Sequence, residues 1–222
     1  MGRDTVPPRD PDTAYIQRTR PLIPGEPHAT DAIPPMPDGH GLVMSEIRPE
    51  RPDDLPWIHA VNTLAFGQPD EARLVDQLRD DGDVLVSLVA LGDGDEIDGH
   101  ILFSRLDLLF DDGTSAEAAA LAPVAVRPDR QRQGIGKALV RAGIAACKAQ
   151  GLGAIIVLGH ATYYPKFGFS ADLAKTLRSP FPGEHFMALE LIPDMLRGRK
   201  GAVRYAKAFG LGVVERGIEE PA

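Results

Sequence analysis

Between Leu121 and Val140 the chain reads LAPVAVRPDRQRQGIGKALV. An apolar stretch ends at Val126, Pro128 closes it, and a basic turn carrying two glycines feeds straight into a helical pattern. Such a corner can hold an anion, because the first N–H groups of a helix have no intrahelical acceptor and the helix dipole favours negative charge there. Gly134 and Gly136 carry no Cβ, so a phosphate can come close to the backbone. The alternative is a plain strand–loop–helix corner with glycines for packing, since short glycine patterns are weakly specific. Two familiar phosphate motifs fail on inspection. A P-loop needs Ser or Thr after Gly-Lys, and Ala138 follows Lys137. A dinucleotide fingerprint needs Gly or Ala where Leu139 stands, and an acid-tipped strand about 20 residues on is missing.

The elements that must position this corner follow from period and punctuation. VMSEIRP (43–49) alternates as a first strand, Pro52-Asp53-Asp54 opens a helix to about Phe66, and Pro69-Asp70-Glu71 opens another to about Asp81. VLVSLVAL (84–91) and 97–109 form a hairpin, and EAAALAPVAV (117–126) is a further strand. A helix over 134–150 is amphipathic, with Ile135, Leu139, Ala142, Ala146 and Ala149 on one face and Lys137, Arg141 and Lys148 opposite. AIIVL (154–158) is a strand, 161–167 a short helix, and FMALELI (186–192) a last strand. Consecutive strands followed by strand–helix–strand–helix–strand predict an α/β (α+β) fold, a mixed sheet with helices on its faces.

Composition bounds the function. With 43% hydrophobic and 25% charged residues, the 222-residue chain has the make-up of one globular domain. The longest apolar runs fall far short of the ~20 residues of a membrane span. The lone Cys147 excludes an internal disulfide and a four-cysteine zinc site, and reads as a buried structural thiol. Six histidines without HxH or HExxH spacing give no metal site. A net charge of −8 argues against a nucleic-acid partner and fits a soluble, cytoplasmic-type protein with no membrane partner. Nine of the 20 prolines fall in 1–43, which has no apolar period and no signal-peptide pattern, so those residues read as an extended or disordered tail. An internal start at Met44 is compatible with this pattern. The domain is expected over 44–195, with 196–222 as a C-terminal extension.

A second motif lies one helix and one strand after the glycine turn: Tyr164-Pro165-Lys166-Phe167-Gly168-Phe169, within VLGHATYYPKFGF. Together, Gln131-Arg132-Gln133-Gly134-Ile135-Gly136 and this Y-x-x-x-G-F element resemble the GNAT acetyltransferase superfamily, whose acyl-CoA loop is Gln/Arg-x-x-Gly-x-Gly/Ala. The string GH-x-x-YYP-x-FGF is similar to a bacterial branch of that superfamily. The resemblance covers roughly 44–195.

The resemblance implies a mostly antiparallel sheet splayed at an acyl-CoA site, and an N-acetyltransferase. It implies that Val124, Ala125 and Val126 pair with the pantetheine arm of acetyl-CoA and polarise the thioester. Gln131, Arg132, Gln133, Gly134, Ile135, Gly136 and Lys137 would then hold the phosphates, with the clustered Arg127 and Arg130 serving the same anion. A primary amine would attack acetyl-CoA directly, with no covalent enzyme intermediate. Tyr164 would be the general acid for the departing thiolate; its neighbour Tyr163 is expected to point elsewhere. The general base is open between Glu71, His160 and a water chain, Glu117 lying at the far end of its strand. The other class of function is a non-catalytic acyl-CoA-binding module or sensor. The acceptor is unspecified, and a homodimer is left open.

Overall fold

The computed structural model describes residues 46–92, 94 and 96–213; the proline-rich segment 1–43 lies outside them. Eight strands form one sheet: β1 (Glu46–Pro49), β2 (Val84–Leu91), β3 (Ile97–Phe110), β4 (Ser115–Val126), β5 (Ala154–Leu158), β6 (Leu177–Arg178), β7 (Phe186–Glu190) and β8 (Gly201–Tyr205). The main order is β1-β2-β3-β4-β5-β7, with β8 paired to β3 and β6. Neighbours are antiparallel except β4–β5 and β6–β8. The mixed, mostly antiparallel sheet expected from the sequence is therefore present.

The helices are α1 (Leu55–Phe66), α2 (Asp70–Asp80), α3 (Ile135–Ala149) and the single turn α4 (Ala171–Ala174). Pro56 sits in the first turn of α1, and Gly67, at φ 70°, closes it by donating to the Thr63 carbonyl at 2.8 Å. Asp70 and Glu71 open α2 and Arg79 lies in its last turn, both favourable to the dipole. These two helices cover one face, where Ile58, Val61, Leu78, Val89 and Leu102 pack. The other face carries α3 against Ile101, Phe103, Leu121, Ile155 and Val157.

Three expectations need correction. The buried stripe of α3 is Ile135, Leu139, Val140, Gly143 and Cys147, whereas Ala149 is exposed. Gly143 belongs to the stripe because the Phe103 ring lies where a side chain would stand, so backbone proximity, not hydropathy, sets the contact line. Residues 161–167 form only a 3₁₀ turn over Tyr164–Phe167, since Pro165 and the left-handed Gly168 leave no room for an α-helix. Residues 201–205, assigned from sequence to an extension, are a strand of the same sheet, with Val203 fully buried. Among the described residues no helix is long and apolar enough to cross a membrane.

Candidate acyl-transfer site

β4 and β5 run side by side only from Ala119↔Ile155 to Leu121↔Val157, after which they part. The cause lies in β4. Its ladder with β3 slips between Ile101↔Val124 and Phe103↔Leu121, so three steps of β4 match two of β3. The bulge falls at Ala122-Pro123, and Pro123 has no N–H to give a ladder. β3 still follows β4 beyond the bulge, through His100↔Ala125 and Gly99↔Val126. Arg127 N–H donates to the Asp98 carbonyl at 2.9 Å, which sets the phase of the alternation. Val124 and Val126 therefore turn their backbone groups away from β3, toward the opening. The Val126 carbonyl accepts the Gln131 side-chain amide at 3.2 Å.

The glycine turn closes one end of this opening. After the 3₁₀ turn Pro128–Arg130, both Arg132 (φ 63°) and Gly134 (φ 93°) are left-handed, curling the loop into a concave bend of the type that gathers N–H groups. Gly134 is the N-cap of α3, and the first intrahelical bond is Ala138 N–H to its carbonyl at 3.0 Å. The amides of Ile135, Gly136 and Lys137 therefore have no intrahelical acceptor. Nothing lies within 4 Å of the space a Gly134 side chain would fill, and the side chains of Arg132, Gln133 and Lys137 are exposed around it. A phosphate fits this surface: open space, spare donors and two exposed cations, Arg132 and Lys137.

Arg127 and Arg130 correct the sequence reading. Arg127 pairs with Glu96 at 2.5 Å, Asp129 at 2.9 Å and Asp98 at 3.5 Å; Arg130 reaches Asp98 at 3.5 Å. Both guanidiniums are largely buried, so they tie the loop to the start of β3 and do not line an anion pocket. Burial raises the Asp98 carboxyl above its usual range, and the charges of Arg130 and Arg127 only partly oppose this. Gln133 likewise braces the turn, donating to the Asp129 carbonyl at 3.3 Å.

The second motif flanks the parting strand. Tyr164 is 5% exposed, and its ring lies over Gly159 so closely that any side chain there would overlap it. Phe169 meets the same ring edge-on at 5.6 Å between centroids. His160 accepts the Tyr163 and Tyr164 N–H groups at 3.0 and 3.3 Å through its carbonyl. Its imidazole stands edge-on to His185 at 6.3 Å, and His185 Nδ1 meets the Gly159 carbonyl at 3.1 Å. His185 had no signal in the sequence; the β5–β7 ladder, ending at Leu158↔Phe186, delivers it.

Tyr163 departs from expectation. Its hydroxyl is the atom nearest to where a Gly136 side chain would stand, at 3.4 Å, so it too meets the glycine loop. Adjacent residues of a 3₁₀ turn splay by roughly a third of a turn, and here both aromatics reach the α3 side. Glu71 is on the other face, 2% exposed in the first turn of α2, accepting from Gln68 Nε2 at 3.3 Å. Glu117 is exposed at the far end of β4, paired with Arg105 at 3.3 Å. Cys147 is fully buried, and burial pushes its thiol up to about 12, so it is an inert packing group.

Comparison with known proteins bears on this geometry. The family described as "Acetyltransferase (GNAT) domain" matches residues 46–171. The N-acetyltransferase YhbS of Escherichia coli K12 is 34% identical over 165 residues, spanning 73% of this chain and 97% of its own length. The N-acetyltransferase YjhQ of the same strain is 40% identical over 133 residues, 58% of this chain and 72% of that protein. The crystal structure of E. coli YhbS in complex with CoA superposes with a TM-score of 0.70 at 32% identity, covering 81% of this chain and 99% of that one. A GNAT acetyltransferase from Brucella melitensis in complex with acetyl-CoA gives 0.61 at 35% identity, covering 74% and 97%. A bulge-parted β4–β5 pair beside a glycine-capped helix, together with these matches over most of the chain, identifies the protein as a member of the GNAT acetyltransferase family.

Proposed function

We propose that this acyltransferase moves an acetyl group from acetyl-CoA directly to a primary amine. The observation that carries this reading is the opening between β4 and β5, which has the Val124 and Val126 backbone on one side, the α3 N-terminus at one end and Tyr164 against the other strand. The CoA and acetyl-CoA held by the E. coli and Brucella proteins support the same donor here.

In this reading the chain holds the donor by backbone more than by side chain. The N–H groups of Val124 and Val126 orient the acyl arm and stabilise negative charge developing on the thioester oxygen, whereas Ala125, expected from the sequence to share this work, turns its backbone groups to His100 in the β3 ladder. The amides of Ile135, Gly136 and Lys137, with Arg132 and Lys137 around them, receive the phosphates. As the amine nitrogen bonds to the acyl carbon and the carbon–sulfur bond breaks, Tyr164 supplies its phenolic proton to the leaving sulfur. The proton lost by the amine passes to His160, whose carbonyl already organises the Tyr164 turn, or into a water chain; Glu71, 2% exposed under the other face, lies away from the opening.

The test is release of free thiol from acetyl-CoA across a panel of small amines, polyamines, peptide N-termini and lysine peptides. Turnover with at least one amine is expected; donor binding without acceptor-dependent thiol release in any class would overturn direct amine transfer. With the amine found, Tyr164→Phe keeps the ring on Gly159 and loses the proton. Its kcat should fall by roughly 10²–10⁴-fold with acetyl-CoA affinity little changed. A Tyr164→Phe enzyme within about threefold of wild type would remove the hydroxyl from the acid role, such a deficit being below the general-acid range.

A further inference from the structure

Tyr163 belongs by sequence to the turn after β5, yet its hydroxyl stands against the start of α3. A side chain built on Gly136 would meet that oxygen at 3.4 Å and Val126 Cγ2 at 3.6 Å. The phenol oxygen thus stands beside the first turn of α3, at a position that Val126 of β4 also borders, while the Tyr163 backbone follows the strand that has parted from β4. The ring is firmly held. Tyr164 meets it edge-on at 5.2 Å and 88°, Phe167 at 5.3 Å and 65°, and Lys166 Nζ lies 5.9 Å from its centroid. A half-buried aromatic on the β5 side therefore reaches the start of α3, with a group that can donate and accept a hydrogen bond set beside the spare amides of that helix.

The geometry points to Tyr163 as a residue of the acyl-donor site: its ring forms a wall, and its hydroxyl a hydrogen-bonding group, for the stretch of acyl-CoA that passes from the β4 backbone to the α3 N-terminus. This inference rests on the donor reading above and assigns the two adjacent tyrosines different work. Tyr164, buried over Gly159, acts in the chemical step; Tyr163, over Gly136, acts in holding the donor. An oxygen atom of the donor bound to the Gly136 or Lys137 amide comes within the reach of the phenol, because the Gly136 position leaves nothing between them.

The two roles separate in kinetics. Tyr163→Phe keeps all three ring contacts and removes only the oxygen. Calorimetric titration of the full chain with CoA should give a Kd raised roughly three- to tenfold, the usual worth of one hydrogen bond. The KM for acetyl-CoA should rise in parallel while kcat at saturating donor stays within about twofold, the signature of lost binding shared by ground and transition states. Tyr163→Ala removes the wall as well, and a weakening beyond that of the Phe variant is expected; thermal melts report its folding, and if it does not fold the Phe variant decides. A Tyr163→Phe protein with the Kd of wild type, or with kcat lowered and Kd intact, overturns the assignment. Wild-type protein that fails to bind CoA would instead overturn the donor reading itself, so the two failures are told apart by the first titration.

Discussion

At the scale of single residues, the site depends on where atoms are missing as much as on where they stand. Gly134 caps α3 at φ 93° with open space beyond it, so the space is available to a ligand and the backbone angle is unfavourable to any other residue. Gly134→Val should lower the melting temperature slightly, since a side chain in left-handed backbone costs about 1–3 kcal/mol. It should lower acetyl-CoA affinity further, because the branched side chain occupies the phosphate approach. Gly134→Asn, which tolerates that backbone better, should melt closer to wild type and still bind more weakly. Calorimetry on folded Gly134→Val with an unchanged Kd would show that the loop is a packing corner and nothing more. The contrast between Gly134, which faces open space, and Gly159, which lies under the Tyr164 ring, explains why two glycines in neighbouring motifs have different duties.

At the scale of elements, a buried polar chain fastens α1 and α2 to the sheet beside the site. His100 of β3 is fully buried; its Nδ1 meets Asn62 Nδ2 at 3.0 Å and its Nε2 meets Ser87 Oγ at 3.0 Å. Ser87 donates to Glu50, which Arg79 of α2 grips at 2.9 and 3.0 Å. One assignment fits both imidazole contacts: a neutral ring accepts from Asn62 at Nδ1 and donates from Nε2 to Ser87. Burial pulls the His100 pKa down to about 3, the Glu50 charge only partly opposing it and the Arg79 charge adding to it. Burial would raise the Glu50 carboxyl, but hydrogen bonds from Arg79 and Ser87 outweigh this and hold it below its ordinary value. The unfolded chain takes up the imidazole proton near pH 6.5 and the folded chain does not until about pH 3, so this group contributes stability that is lost as pH falls through that interval. Between pH 6 and 4.5, before most carboxylates titrate, the slope from this group approaches about 1.4 kcal/mol per pH unit. Urea melts across that window should show the loss, and His100→Phe, less stable at pH 7, should show a flatter dependence. An equally steep dependence in the Phe variant would assign the acid sensitivity to other groups.

At the scale of the whole molecule, β3 is the strand on which the sheet depends. It pairs with β4 along most of its length, with β2 over its first half and with β8 over Leu106–Phe110. β8 is therefore part of the frame that fixes β4, although it lies 75 residues or more after that strand begins to parallel the opening. Ending the chain at residue 195 would remove β8 and expose the β3 edge over Leu106–Phe110, where Leu106 and Leu108 are buried. Such a truncation should lose the cooperative thermal transition or melt far below the full chain, with acetyl-CoA binding lost in step. A truncated protein melting within about 2 °C of full length would mean that β8 adds little to the frame, that interval corresponding to about 1 kcal/mol at most for a domain of this size.

The sequence by itself determined the element order from β1 to β5, the glycine-capped helix and the family, because these are written locally: prolines at helix starts, alternation in strands, and two motifs at a set spacing. The tertiary structure decided what depends on pairing between distant segments. A proline in β4 is visible in the sequence, but only the slipped register with β3 shows that it parts β4 from β5. Arg127 and Arg130 look like anion ligands in one dimension and become braces once β3 brings Glu96 and Asp98 beside them. Adjacent tyrosines were expected to diverge, and a tight turn set both on the α3 side of the sheet. Local propensity carries no term for the register between strands far apart in the chain, and it is that register which turns two short motifs into one site.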